Sequence, residues 1–332
     1  MRLLFYLLFL SASTTLADKV KGLSLVAPAQ PFPENPMSAV QEVGADWLAV
    51  IPYSFSPKGK AKLYFNSERQ WWGERPEGTR ETIRLAHESG IKVMLKPQVW
   101  IPGSWIGSLD FDSGEKWESW EEGYREYILT FAQIAAEMEV ESFCIGTELK
   151  ISVQKREPFW RTLIKDIRAI YNGKLTYAAN WDEYPLVPFW DTLDYIGIDA
   201  YFPLVPDETP SVENLVQAWQ PTYENLKTFS QTTGKSIAFT EYGYLSLDGT
   251  AYQTWSLEKN RKTTPINEQA QANAIEALYQ VFWKEDWWAG GFLWKWYPNY
   301  EKGNGHSEQF RKGDYSPQGK LSEEVLKKWF LE

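Results

Sequence analysis

Two glutamates stand where apolar runs end. Glu148 follows the run in "SFCIGTELK" (142–150), and Glu241 occupies the same place in "SIAFTEYGY" (236–244). A carboxylate leaving a buried segment is costly unless it is paired or hydrogen-bonded. Either glutamate alone reads equally well as half of a structural ion pair. Two of them, each ending a strand of one sheet, form a pair that can do chemistry. One carboxyl, protonated, donates to a leaving oxygen; the other, ionised, attacks or activates water. Their repulsion helps keep one protonated near neutral pH. Glycoside hydrolysis needs such a pair, and a separation of roughly 5–5.5 Å implies direct attack with retention of configuration.

Composition narrows the partner. The 332 residues carry a formal net charge of -10, which argues against nucleic acid or an anionic membrane. Two histidines argue against a multi-histidine metal site, and one cysteine excludes an intramolecular disulfide. His87 reads as a residue of a surface helix and His306 as part of a polar loop. Cys144 reads as an inert interior residue, since a nucleophilic thiol needs a histidine beside it. Eighteen Trp, 18 Tyr and 17 Phe exceed what a core of this size uses, so some are expected at the surface. Indole planes suit the C–H faces of a sugar ring, and carboxylates and amides suit its hydroxyl rim. A neutral carbohydrate partner fits.

The elements that must position these groups alternate. Candidate strands are 20–27, 45–53, 91–100, 141–149, 174–181, 194–202, 236–244 and 290–297. Helical patterns lie between them, several ending in glycine, as in "HESG", "IYNG" and "QTTG". Near-continuous apolar strands alternating with amphipathic helices argue for a parallel sheet buried on both faces. Eight such units predict an α/β fold, a single-domain (β/α)8 TIM barrel; no GxGxxG follows the first strand to favour a nucleotide-binding sheet. In such a barrel the site forms at the C-terminal ends of the strands. The residues found there are Lys96, Gln98 and Trp100; Glu148; Asn180 and Trp181; Asp199 and Tyr201; Glu241 and Tyr242; and Trp294 and Trp296. Strands four and seven lie three apart in the ring, so Glu148 and Glu241 can meet over its mouth.

Around these residues the chain resembles glycoside hydrolase family 113, a member of clan A. The resemblance rests on "GTEL" (146–149), "TEYGY" (240–244), "WDEYPLVPFWDTLDYIGIDAYFPL" (181–204) and the terminal "DYSPQGKLSEEVLKKWF", and spans most of the chain from about Lys21. That family contains retaining endo-β-1,4-mannanases. The resemblance implies Glu148 as general acid/base and Glu241 as nucleophile; with proton transfer and attack both done by side chains, no metal or organic cofactor is expected. Many clan members carry Asn just before the acid/base; here the residue is Thr147, so the contact to the sugar 2-hydroxyl is expected from Asn180. Tyr201 is expected to orient the nucleophile, and either Trp294 or Trp296 to floor the cleaved sugar. Lys96 faces inward by parity, to bind a hydroxyl or to neutralise the glutamates. Trp100 and Trp105, in the loop "WIPGSWIGSLDF", and Trp71 and Trp72, in "ERQWWGERPEG", are expected to wall the cleft.

The first residues, "MRLLFYLLFLSASTTLADK", read as a signal peptide over 1–17, with the catalytic domain over 18–332. The apolar run is too short for a membrane span, and no cysteine near the cut suggests a lipid anchor. Export to the periplasm or medium follows. The substrate expected is a β-linked mannan or glucomannan; the alternatives are another β-glycan, such as a β-glucan or xylan, or a barrel that binds carbohydrate without cleaving it.

Overall fold

The computed structural model describes residues 19–300 and 307–332. The expected signal peptide and His306 lie outside the described residues. Eight strands, β1 (Val20–Leu25), β2 (Trp47–Val50), β3 (Lys92–Leu95), β4 (Ser142–Thr147), β5 (Lys174–Asn180), β6 (Ile196–Asp199), β7 (Ile237–Tyr242) and β8 (Trp288–Trp296), pair in parallel, each with its sequence neighbours, and β8 closes on β1. The chain is a (β/α)8 barrel, as its alternation predicts.

The apolar strands bury both faces. Across β1 to β3, Ser24, Ala49 and Met94 stand in register. Ala49 and Met94 pack inside the barrel with Ile51 and Phe292, whereas Leu23, Leu48 and Val93 face the helices in the main core. The alternation of side chains along a strand divides the two layers. Among the described residues no helix is long and apolar enough to cross a membrane.

The expected glycine stops hold at Gly90 and Gly234, which take φ of +71° and +66° in the left-handed region. Gly173 does not. A Cβ there would lie 2.2 Å from the Tyr171 hydroxyl, so that glycine makes room for a ring rather than turning the chain. Between β5 and β6 the chain makes only two short 3₁₀ turns, Tyr184–Leu186 and Trp190–Thr192, as the short interval requires.

The third predicted strand breaks in two. After Leu95 the chain passes through Lys96 and Pro97, where proline supplies no N–H to a ladder. Residues Gln98–Trp100 then leave the barrel and pair with Tyr53–Phe55, which continue from β2. This small parallel sheet rises above the barrel mouth.

Candidate active site

Glu241 lies on β7 and accepts from three side chains. Its Oε1 receives Lys96 Nζ at 2.7 Å and Gln98 Nε2 at 2.6 Å, and its Oε2 receives Tyr201 Oη at 3.0 Å. Lys96 is fully buried and also donates to Asp199 Oδ1 at 2.9 Å. Burial works to lower the Lys96 pKa, but the charges of Asp199 and Glu241 outweigh it and hold it above its ordinary value. Asp199, on β6, accepts Thr240 Oγ1 on the same oxygen at 2.8 Å, while its Oδ2 is buried without a partner. Burial, then the nearby Glu241 charge, pushes Asp199 up to about 7.

Glu148 follows β4 with φ of +55°. A side chain in this region costs on the order of 1–2 kcal/mol, so the surroundings must hold it there. They do so from both sides. The Glu148 N–H donates to Ala178 O at 2.8 Å. The next N–H, of Leu149, donates to Tyr177 Oη at 2.6 Å; that hydroxyl donates to Glu183 Oε1 at 2.7 Å, and Glu183 Oε2 accepts the Asn180 N–H at 3.1 Å. Glu183 is fully buried with no cation on it, and burial raises it to about 7. Gly146 lets the strand come close to the helices: a Cβ there would lie 2.7 Å from Tyr124 Oη and 2.8 Å from the Trp160 ring. The Glu148 carboxyl meets one protein donor, Trp105 Nε1, at 2.5 Å on Oε2. Burial first, then the charges of Asp199 and Glu241, drive its pKa well above the carboxylate range, and the Trp105 bond offsets this in part.

Both glutamates line one cleft of about 840 Å³, together with Trp105, Asn180, Tyr201 and Trp294. Four other strand-end candidates do not border it; one of them, Tyr242, is buried with its hydroxyl 2.7 Å from that of Tyr279. Lys96 is sealed beneath the floor by its two carboxylate partners, so parity gave its direction but not its depth. Trp100 stands at the tip of the raised sheet, 59% exposed. Trp296 is 2% exposed and packs in the helix-facing core. Trp294 and Trp296 do not share a face because β8 bulges between them: Trp294 pairs with Ser24, and Trp296 with the adjacent Leu25. Gly243 admits Trp294 closely, since a Cβ there would lie 2.4 Å from the Trp294 carbonyl oxygen.

Of the loop tryptophans after the second strand, Trp72 is buried against Phe32, and Trp71 is exposed and does not line that cleft. His87 sits on the helix Pro76–Glu88 beside Glu141 at 3.3 Å, and burial pushes the Cys144 thiol up to about 11. Sequence reasoning missed Trp255 and Tyr315, which also line the cleft. Trp255 lies on a short helix, Thr254–Asn260, and stacks on Trp181 at 5.8 Å and 13°. "AYQTWSLEKN" has no periodicity that marks it as a cleft wall.

The model of Glycoside Hydrolase Family 113 matches residues 29–320. The GH113 beta-mannanase AaManA from Alicyclobacillus acidocaldarius, solved in complex with ManMIm, superposes with a TM-score of 0.81 at 24% identity, covering 94% of this chain and 97% of that one. A complex of a GH113 beta-1,4-mannanase gives 0.78 at 23% identity, over 95% and 99%. A β-glucuronidase from Ruminococcus gnavus gives 0.62 at 11% identity, over 94% of this chain and 50% of that one. At these identities the likeness speaks for the fold. No curated protein matches the sequence.

Proposed function

Since the chain belongs to glycoside hydrolase family 113, we propose that it cleaves β-1,4-mannosidic bonds in mannan or glucomannan by double displacement, with Glu148 as general acid/base and Glu241 as nucleophile. The observation that carries this reading is the contrast between the two glutamates. Glu148 has its proton held on by burial and by two neighbouring carboxylates, as an acid facing a leaving oxygen requires. Glu241 is surrounded by donors, one of them the Lys96 ammonium. That environment suits a charged carboxylate. Donors on both oxygens also hold the carboxylate in one orientation, as direct attack on an anomeric carbon with retention requires.

In the first step Glu148 protonates the glycosidic oxygen while Glu241 attacks the anomeric carbon, and the leaving sugar departs. In the second step Glu148, now ionised, takes a proton from water as the water displaces Glu241. Tyr201 and Gln98 fix the attacking carboxylate, one on each oxygen. Trp294 supplies an apolar surface for the cleaved sugar, and Asn180 an amide for its hydroxyls. No step requires a metal or cofactor. The two solved GH113 mannanases support mannan as the substrate. The signal-like N-terminus supports export, where polymeric substrate is met.

Reducing-sugar release from mannan, glucomannan, cellulose and xylan tests the reading. The mature chain is expected to act on the mannans, and Glu241→Ala to abolish that activity. Glu148→Ala is expected to lose the polymer but keep part of its rate on an aryl glycoside, whose leaving group needs no acid. Activity confined to cellulose or xylan would overturn the substrate. Sugar binding without cleavage would favour the binding barrel.

A further inference from the structure

The raised sheet formed by Tyr53–Phe55 and Gln98–Trp100 has two faces. Ser54 is buried toward the helix side, as is Ser56 just beyond it, where Ser56 Oγ meets Trp120 Nε1 at 3.1 Å. The opposite face begins at the candidate site: Tyr53 and Gln98 are paired in register, Tyr53 Oη donates to Gln98 Oε1 at 2.7 Å, and Gln98 Nε2 reaches Glu241. Side chains two residues apart on a strand share a face, about 6.5–7 Å from each other. The next pair on the Tyr53–Gln98 face is therefore Phe55 and Trp100, also in register.

These two rings meet at 6.0 Å, and Tyr64, bridged to Phe55, stacks on it at 6.2 Å and 27°. Trp100 is 59% exposed and Tyr64 48%. Three adjoining aromatic rings, two exposed and Phe55 half-buried between them, continue the row that begins beside the nucleophile.

Taking the proposed glycosidase reading as its basis, we propose that Phe55, Tyr64 and Trp100 form an outer glycan subsite that holds sugar units of the same β-linked chain beyond the cleavage point. Its continuity with the cleft selects this occupant. A chain bound across Glu241 and passing Gln98 meets the platform one strand repeat farther along. The rings offer apolar faces to sugar C–H surfaces and no charge, as a neutral glycan requires. Extended chains gain this contact and short ones do not reach it, so the site makes the enzyme selective for polymer length.

The test compares kcat/KM on mannohexaose and on an aryl β-mannobioside for the wild type, Trp100→Ala and Tyr64→Ala. Both substitutions remove exposed rings. The ratio of hexaose to bioside efficiency is expected to fall roughly fivefold to tenfold in each variant, mainly through KM on the hexaose. An unchanged ratio in both variants would overturn the platform, and so would a fall accompanied by a weaker dimer in sedimentation, which would assign the rings to a second copy. Failure of the wild type to cleave either substrate would overturn the mannanase reading instead.

Discussion

At the scale of single residues, the candidate site separates two chemically identical side chains by their neighbours. Glu241 receives three donors, whereas Glu148 has Trp105 alone and faces two carboxylates. Asp199 links the two environments: it shares Lys96 with Glu241, and its charge helps hold the proton on Glu148. Asp199→Asn keeps an oxygen for Lys96 and Thr240 and places an amide where Oδ2 has no partner. With that negative charge gone, Glu148 releases its proton at a lower pH. Because the acid must be protonated to work, the alkaline limb of kcat/KM is expected to move to lower pH. A limb that stays in place, or moves up, would remove Asp199 from this role. Both glutamates were legible in sequence because a charged residue ending an apolar run is conspicuous. Lys96 was legible as an inward-facing cation, and of its two expected roles the structure shows it neutralising Glu241; its depth was not legible, because alternation reports the face of a strand and not how deep the side chain lies.

At the scale of elements, the turn after β4 depends on a buried relay. Leu149 N–H, Tyr177 Oη, Glu183 and Asn180 N–H form one hydrogen-bonded chain, which ties the Glu148 turn to the end of β5. Tyr177→Phe leaves the Leu149 N–H and one Glu183 oxygen unsatisfied, at a cost of about 1–3 kcal/mol of stability. If the relay also aims Glu148, kcat at a temperature well below unfolding is expected to fall roughly tenfold with KM nearly unchanged, since a misplaced acid weakens the transition state more than binding. Lower stability with a wild-type kcat would make the relay structural only. The eight strands and the major helices follow from apolar periodicity and glycine stops. The bulge in β8 does not, and it is the bulge that sends Trp294 to the cleft and Trp296 to the core. Trp255 escaped notice for a related reason. Its short helix is placed by stacking on Trp181 from another loop, a contact that only the closed barrel creates.

At the scale of the whole molecule, the barrel brings strand ends that are distant in sequence to one mouth. Lys96, Asp199 and Glu241 are separated by 103 and 145 positions from the lysine, yet they share one ammonium. The composition is consistent with that use: abundant aromatic rings, some exposed near the mouth, and a net negative charge that disfavours polyanions. The central claim is that Glu241 attacks the sugar directly while Glu148 manages the proton. The most direct test is proton NMR of the first reducing ends formed from mannohexaose, read before mutarotation. Double displacement predicts that the β-anomer appears first and the α-anomer grows in later. An initial α-anomer would show single displacement by water and contradict the assignment of Glu241 as nucleophile.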